Sequence, residues 1–153
     1  MENEIRLFNE SDFNHVLVVW RIAREMSSNG DVIARKHTLV EDIGYLKHEI
    51  LPKNTVWVAE SHGIGITGFM AIQGEFIDCL YIHPDHQGQG IGRALLAHAR
   101  TLSPQRIWLY TMADNTRARA FYEKYGFKLM ALGHNAEGLP DASYEFISTE
   151  SKP

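Results

Sequence analysis

Cysteine is nearly absent from this chain: Cys79 is the only one among 153 residues, so no intramolecular disulfide is possible. That absence predicts a reducing compartment, and we expect a cytoplasmic protein. Cys79 lies within an apolar run, which favours a small buried side chain over a nucleophile. No run of about 18 apolar residues occurs, and Glu2 and Glu4 stand where a signal peptide carries basic residues. We therefore expect neither a membrane span nor a secretory leader.

Positive charge is also in short supply, because 15 Lys and Arg stand against 19 Asp and Glu and the formal net charge is −4. Nucleic-acid-binding domains carry a basic footprint, so we expect no nucleic-acid partner and a mild preference for cationic ones. Ligand spacing for a metal is absent too. His83 and His86 flank a proline, and no further ligand stands at a usual distance, so we expect no bound metal.

Linkers, internal repeats and low-complexity tracts are absent, which predicts one domain over residues 1–153. A chain of this length buries roughly 68–70% of its unfolded surface, which is enough for a single core. Hydrophobic residues make up 44% of the chain and charged residues 22%, as is typical of a globular protein. Only the tail, residues 148–153, is expected to fray.

The spacing of apolar residues predicts about seven strands and about four helices. Strands are predicted at 5–8, 55–60, 64–73, 75–83, 106–111, 128–132 and 143–147, and helices after Asn9–Asp12, Thr38, Gly90 and Asn115. Thr38–Glu41 has the form of a capping box. The helix that it opens presents Leu39, Ile43, Leu46 and Ile50 as an apolar stripe.

A βαβ unit lies at the centre of this pattern. It consists of the strand that ends near His83, the helix that begins near Gly90 and the strand that begins at Arg106. Such a unit places two parallel strands side by side with a right-handed connection. The sequence therefore predicts an α/β (α+β) fold with a mixed, mostly antiparallel sheet.

Three alternating glycines, Gly88, Gly90 and Gly92, follow the first strand of this unit and precede its helix. Glycine lets the backbone adopt positive φ and removes Cβ atoms that would block a ligand. The unpaired N–H groups at the helix start and the positive end of its dipole favour an anion at this place. The pattern predicts a phosphate or pyrophosphate site.

Two better-known glycine motifs fit less well. Arg93 and Ala94 stand where a P-loop carries Lys and Ser or Thr, which argues against a nucleotide hydrolase. A Rossmann turn follows its strand directly, whereas Pro84–His86 intervenes here. Only Asp114, at about the distance of a ribose-binding acid, favours a protein that binds an adenine dinucleotide, and this alternative stays open.

A second segment, Asn115–Phe127, predicts a helix that begins near Asn115 and stops at a left-handed Gly126. Asn115, Ala118 and Tyr122 share one face of it. Together with the glycines, the segment resembles the GNAT superfamily of N-acetyltransferases, whose signature is an apolar strand, Pro, Gln/Arg-Gly-x-Gly-x-Gly/Ala, and later Asn-x-x-Ala-x-x-Phe/Leu-Tyr-x-x-x-Gly-Phe. The resemblance lies within residues 76–128 and is to small, stand-alone bacterial members.

The resemblance implies a GNAT fold in which the two parallel strands splay apart and acetyl-CoA is the cofactor. The implied cofactor contacts are Leu80, Tyr81, Ile82, Gln87, Gly88, Gln89, Gly90, Ile91, Gly92, Arg93, Asn115, Ala118 and Tyr122. The strand backbone would bind the pantetheine arm, and an N–H near Tyr81 or Ile82 would stabilise the oxyanion. Asn115 would bond the cofactor arm, although an Asn at a helix start equally serves as a cap.

Acyl transfer to an amine needs a base and an acid. A lysine-like ammonium has a pKa near 10.4 and must lose a proton before it attacks. Glu75, Asp78 and His83 are the candidate bases, and strand alternation gives Asp78 the parity of Leu80. A structural hydrogen-bond acceptor is an equal interpretation of Asp78. Tyr122, matched to the family's tyrosine, is the expected general acid for the departing thiolate.

The first two helices and the turn-rich segment before the last strand are expected to line the acceptor pocket. Trp20, Met26 and Tyr45 would give apolar walls, and Glu137 or Asp141 would recognise a cation. We thus expect an N-acetyltransferase, monomeric or homodimeric, that moves an acetyl group from acetyl-CoA directly to a primary amine of a small molecule or peptide in a ternary complex. The alternative is a non-catalytic module that senses acyl-CoA.

Overall fold

The structure, a computed structural model, describes residues 3–26 and 37–148. Its strands are β1 (Asn3–Leu7), β2 (Thr55–Ser61), β3 (Gly65–Gln73), β4 (Phe76–Ile82), β5 (Arg106–Met112), β6 (Lys128–His134) and β7 (Pro140–Ile147). Its longer helices are α1 (Phe13–Glu25), a composite α2 (Leu39–Tyr45, the π-helical Leu46–Ile50 and Leu51–Lys53), α3 (Ile91–Leu102) and α4 (Thr116–Lys124). None of the helices in these two ranges has both the length and the apolarity needed to cross a bilayer. The tail that we expected to fray lies outside the described residues from position 149 onward.

The strands form one sheet in the order β1-β2-β3-β4-β5-β7-β6. β4 and β5 are parallel, and every other neighbouring pair is antiparallel. The β2–β3–β4 meander turns at Gly63 and Gly74, whose φ values of 78° and 60° are readily adopted by glycine. The predicted α/β architecture, with a mixed, mostly antiparallel sheet and a central βαβ unit, is confirmed.

The two faces of the sheet carry separate hydrophobic cores. The core under α3 and α4 includes Ile91, Leu95, Leu96, Ala99, Ile107, Leu109, Tyr122, Ala142 and Tyr144. The core under α1 and α2 includes Val16, Leu17, Trp20, Leu46, Ile50, Val58, Phe69, Ala71 and Cys79. Because side chains alternate across a strand, β5 directs Ile107 and Leu109 towards α3 and α4, and Trp108 towards the opposite face.

Side-chain caps fix the start of α2. Thr38 Oγ1 accepts from the Glu41 N–H at 3.1 Å, and the Thr38 N–H donates to Glu41 Oε1 at 2.7 Å, so the predicted capping box is confirmed. The apolar stripe is confirmed only at Leu46 and Ile50, which are buried, whereas its first two members are 50% and 36% exposed. The π-helical turn accounts for this difference, because its extra residue rotates one helical face relative to the other.

Candidate active site

The two parallel strands separate soon after they begin. β4 and β5 pair only at Phe76 with Trp108 and at Ile77 with Leu109, next to a hydrogen bond of 2.9 Å from the Trp108 N–H to the Glu75 carbonyl. Further along, β4 stays paired with β3, and β5 stays paired with β7. The two strands therefore diverge, as the family resemblance implied, and a cleft of about 890 Å³ opens between them.

A β-bulge marks the point of divergence. Ala71 pairs with Cys79 and Ile72 with Ile77, so Asp78 has no partner residue on β3. A bulge bends its strand and increases the local twist, and here it lies one residue beyond the last pair between β4 and β5. The edges beyond it carry no ladder hydrogen bonds to each other. Backbone groups that face the gap are therefore available to an extended ligand, except the Ile82 carbonyl, which accepts from Gln87.

The glycine turn, residues 87–90, closes one end of the cleft. Gly88 and Gly90 have φ values of 80° and 86°, and α3 begins directly after them at Ile91. The first helical bond there is from the Ala94 N–H to the Gly90 carbonyl at 3.0 Å, so the N–H groups that precede Ala94 at the helix start have no intrahelical partner. This arrangement is suited to bind an anionic group of a ligand.

Gly92 has a packing role that the sequence did not reveal. A Cβ atom at this position would lie 2.9 Å from Cζ of Phe121 on α4, so a larger residue here would require the Phe121 ring to shift. Gln87 is also partly engaged, because its Nε2 donates to the Ile82 carbonyl at 3.3 Å and ties the glycine turn to the end of β4. Of the three glycines, Gly88 and Gly90 shape the turn and Gly92 serves helix packing.

Three cations line the cleft near this turn: Arg93, Arg117 and Lys124. Arg93 lies on the first turn of α3, and Phe121, which contacts Gly92, lies one helical turn from both Arg117 and Lys124. The cations on α4 were missed by the sequence interpretation, although their spacing around Phe121 places all three on one face. The glycine end of the cleft is therefore positively charged.

Tyr122 lies deep in the cleft, and its side chain is 7% exposed. Its ring packs against Phe121, Phe127 and Tyr144, with centroids 5.3, 5.5 and 6.2 Å away. Its hydroxyl makes no hydrogen bond within the described part of the chain. Burial raises the pKa of the Tyr122 phenol above its ordinary value of 10, so the group stays protonated and can donate into the cleft.

Asn115 is the N-cap of α4. Its Oδ1 accepts from the Ala118 N–H at 3.1 Å, so the capping interpretation is confirmed. The side-chain amide of Asn115 donates to no acceptor in residues 3–26 and 37–148, and Asn115 lines the cleft. The cap and a contact to a ligand therefore use different atoms of this side chain and are compatible.

A hydrogen-bond network holds α4 in place over the sheet. Arg119 Nε donates to the Tyr144 hydroxyl at 2.9 Å, and that hydroxyl donates to Glu123 Oε2 at 2.6 Å. Arg119 Nη1 also donates to the Ala113 carbonyl at 2.8 Å, in the turn before Asn115. The network therefore joins α4, through Arg119 and Glu123, to Tyr144 on β7 and to the turn that follows β5.

We expect Tyr144→Phe to destabilise the protein. Tyr144 is fully buried, and the substitution leaves Arg119 and Glu123 without their shared partner, which costs about 1–3 kcal/mol. For a chain of this size each kcal/mol corresponds to about 2–4 °C in Tm, which calorimetry can measure. The control is Tyr110→Phe, because Tyr110 is 54% exposed and its hydroxyl makes no hydrogen bond in the described residues. Equal Tm values for both variants would contradict the prediction.

Among the three candidate bases, only Asp78 lines the cleft. The bulge makes the predicted parity wrong: Leu80 packs into the core under α3, whereas exposed Asp78 accepts at Oδ2 from Asn54 Nδ2 at 3.0 Å, just after α2. Glu75 lies outside the cleft lining and pairs with Arg106 Nη1 at 3.3 Å, because it precedes the segment where the strands part. His83 Nδ1 accepts from the Asp85 N–H at 3.1 Å and also lies outside the lining.

The predicted acceptor residues are partly brought together. Met26, Glu137 and Asp141 line the cleft, and Met26 is 68% exposed. Trp20 does not line the cleft, and its side chain is only 4% exposed. The Tyr45 ring stacks on it with centroids 6.0 Å apart, and the guanidinium carbon of Arg24 lies 4.2 Å from the centre of the Trp20 ring. The prediction that Trp20 lines the acceptor pocket is therefore corrected to a core role.

Carboxylates characterise the sheet face that lies under α1 and α2. Asp141 alternates with Ala142, which is buried under α3 and α4, so Asp141 belongs to the opposite face. Glu137 Oε2 lies within hydrogen-bond distance, 2.9 Å, of His37 Nε2. Within the described ranges, no group of three or more His, Cys, Asp or Glu side chains is arranged to hold a metal ion. The cleft thus has a cationic end at the glycine turn. The rest of its lining includes three carboxylates, of Asp78, Glu137 and Asp141, and the cation Arg24, which already pairs with Asp42 at 2.6 Å.

Comparison with known proteins agrees with this geometry. A family model described as an acetyltransferase (GNAT) domain matches residues 52–129. Peptidyl-lysine N-acetyltransferase YjaB of Salmonella typhimurium is 34% identical over 125 residues, which cover 82% of this chain and 83% of that protein. The Escherichia coli protein of the same name is 31% identical over 126 residues, with 82% of each chain covered.

Solved structures share the fold. The solution structure of apo-form YjaB from Escherichia coli matches with a TM-score of 0.81 and 24% identity, over 97% of this chain and all of that one (100%). The structure of YncA, a putative acetyltransferase from Salmonella typhimurium with its cofactor acetyl-CoA, matches with a TM-score of 0.70 and 18% identity, over 100% of this chain and 98% of that one.

Proposed function

The chain belongs to the GNAT family of N-acetyltransferases, and from that premise we propose that its acceptor is the side-chain amine of a lysine in a peptide or protein. The cofactor is acetyl-CoA, and the reaction is transfer of its acetyl group to an amine. Membership of this family favours acetyl-CoA over the adenine dinucleotide that Asp114 suggested. The observation that carries the proposal is the cleft itself, which is cationic at the glycine turn and elsewhere carries three carboxylates beside Arg24, whose charge is paired with Asp42.

The glycine turn and the edge of β4 are the proposed cofactor-binding elements. Acetyl-CoA supplies the activated thioester when bound. The N–H groups at the start of α3, with Arg93 beside them, would bind its diphosphate. The backbone of Leu80, Tyr81 and Ile82 lies on the unpaired edge of β4 and would bond the pantetheine arm as a neighbouring strand does. Ala118 lines the cleft one turn before Tyr122, so its small side chain leaves room for the arm.

Two side chains are proposed to move protons. Asp78, the carboxylate at the bulge, would accept the proton of the acceptor ammonium, directly or through water. Tyr122, whose phenol stays protonated, would donate to the sulfur as the acyl bond to it breaks, and the second proton that the nitrogen loses as the amide forms would restore the phenol. An N–H of the distorted part of β4, near Tyr81 or Ile82, would donate to the carbonyl oxygen of the thioester.

Charge supports the proposed acceptor class. Asp78, Glu137 and Asp141 line the cleft, and they attract a lysine ammonium towards the side away from the cations. The name of both relatives, peptidyl-lysine N-acetyltransferase, supports the same class. The exposed side chain of Met26 gives an apolar contact for the methylene stem of the lysine.

A thiol-release assay tests the proposal. We expect free CoA thiol to appear when acetyl-CoA is mixed with a peptide that has a blocked N-terminus and one lysine, and not when that lysine is replaced by norleucine. Matched reactions use a lysine-free peptide with a free N-terminus and a polyamine. Thiol release with one of these amines but not with the lysine peptide would overturn the lysine acceptor. Tight calorimetric binding of acetyl-CoA without thiol release for any amine would indicate the non-catalytic sensing module.

Neutralising Glu137 and Asp141 should weaken the binding of the acceptor peptide and leave the binding of acetyl-CoA unchanged. For the double variant Glu137→Gln/Asp141→Asn we expect the peptide KM to rise about 2- to 30-fold, since each solvent-accessible ion pair contributes about 0.2–1 kcal/mol. The Kd of acetyl-CoA should stay the same. The control, Glu4→Gln/Glu10→Gln, makes the same charge change at exposed positions by the other end of the sheet. Equal peptide KM values in both double variants would contradict a recognition role.

A further inference from the structure

Three aromatic side chains form a continuous cluster on the sheet face opposite α3 and α4. Phe76 and Trp108 have ring centroids 4.4 Å apart, Trp108 and Tyr110 5.6 Å, and Phe76 and Tyr110 6.1 Å. We call Phe76, Trp108 and Tyr110 the aromatic patch. Its residues on β5 alternate with Ile107 and Leu109, which are buried under α3, and this fixes the patch on the other face.

The aromatic patch is accessible. The described parts of α1 and α2 form their core with residues of β2, β3 and β4, such as Val58, Phe69 and Cys79. Tyr110 is 54% exposed, and Phe76 and Trp108 are partly exposed. Contiguous exposed aromatic side chains of this kind mark surfaces that contact another molecule.

The patch is continuous with the cleft. Tyr110 belongs to both, because it also lines the cavity between β4 and β5. Trp108 and Phe76 lie beside the last point where these strands pair, directly before the cleft opens. A polypeptide that runs along β5 and inserts its lysine into the cleft from this face therefore has residues on one side of that lysine over the patch.

A polar rim borders the patch on the side away from the cleft. Arg106 pairs with Glu75 at 3.3 Å and with Glu145, and its guanidinium carbon lies 5.7 Å from the centre of the Trp108 ring. Two carboxylates share one guanidinium, so the rim keeps a negative charge. An aromatic centre with a polar, acidic rim suits a segment that is apolar at one position and cationic nearby.

We propose that the aromatic patch is the docking surface for the polypeptide that flanks the acceptor lysine, and that it selects a large apolar side chain two residues away from that lysine. The inference rests on the proposed lysine acceptor. In an extended chain, residues i and i+2 point the same way and lie about 6.6 Å apart, which is also the spacing of Tyr110 and Trp108 along β5. In a peptide that runs along β5, a lysine that points into the cleft beside Tyr110 thus directs its second neighbour onto Trp108 and Phe76.

Peptide kinetics on the wild-type protein tests this without any variant. We expect kcat/KM for a blocked one-lysine peptide with leucine two residues from the lysine to exceed that for serine there by about 10-fold, a partial burial of one leucine side chain. Leucine and serine are compared both two residues before and two residues after the lysine. The matched control is a peptide with leucine four residues from the lysine. Equal kcat/KM throughout the series would overturn the inference.

A variant of the patch locates the effect. Trp108→Thr should abolish the preference for leucine while turnover of N-acetyl-lysine amide, which has no flanking residues, stays at the wild-type rate. A preference that persists in a folded Trp108→Thr protein would overturn the assignment to the patch. The amide also separates the two proposals: turnover of the amide with no flanking preference defeats only the docking surface, whereas no turnover of any lysine compound defeats the lysine acceptor as well.

Discussion

Tyr122→Phe is expected to lower kcat by about 10²- to 10⁴-fold and to leave the Kd of acetyl-CoA nearly unchanged. The substitution removes one oxygen that makes no hydrogen bond in the described structure, while the ring contacts with Phe121, Phe127 and Tyr144 remain. We therefore expect the fold and the cofactor site to stay intact, so that only the proposed proton donor to sulfur is lost. Thiol release gives kcat, and calorimetry gives the Kd.

The control is Tyr45→Phe, which removes a hydroxyl from an exposed residue outside the cleft lining. A kcat of Tyr122→Phe equal to that of this control would remove Tyr122 from the role of acid. The pH profile gives a second check. Because burial raises the pKa of Tyr122, its protonated form persists as the lysine amine deprotonates near pH 10.4, so the wild-type rate should keep rising through pH 10.

Gly88→Asp is expected to raise the Kd of acetyl-CoA about 10- to 100-fold relative to Gly88→Asn. The two variants have nearly the same shape and differ by one negative charge, which lies in the turn proposed to bind the diphosphate. At separations near 4 Å a charge pair is worth about 1 to 4 kcal/mol, depending on exposure. No atom lies within 4 Å of a Cβ at Gly88, and Asn and Asp tolerate its φ of 80° better than other residues do.

Salt dependence separates this effect from a structural one. The ratio of the two Kd values should shrink as salt screens the added charge. Calorimetric titrations at low and high salt measure it, and thermal melts check that both variants are folded. If Gly88→Asp and Gly88→Asn bind acetyl-CoA equally at low salt, the glycine turn is not the diphosphate site.

Local chemistry made much of the architecture predictable. The capping box at Thr38, the stop at Gly126 and the alternation along β5 depend on neighbours within a few residues, and each appears where the pattern placed it. The βαβ unit was predictable for the same reason. The glycines at 88 and 90 were readable because positive φ is a property of single residues.

Features that depend on distant neighbours were not readable. The bulge at Asp78 exists in the pairing with β3, and strict alternation therefore gave this side chain the wrong face. The limit on side-chain size at position 92 comes from the ring of Phe121, which lies nearly thirty residues further along the chain. The helical spacing of Trp20 fits a residue that lines a pocket as well as one that is buried in the core. Only the packing of Tyr45 and Arg24 on its ring shows that it belongs to the core.

The short pairing of β4 with β5 has a mechanical consequence. One block of strands, β1 to β4, and another, β5 to β7, share a seam only two residue pairs long. Beyond this seam, the blocks share the core under α3 and α4, in which Leu95 and Leu96 of α3 lie with residues of both blocks, such as Ile77 and Leu109. Because α3 packs against both blocks, a substitution in its apolar stripe would weaken the packing of both blocks at once.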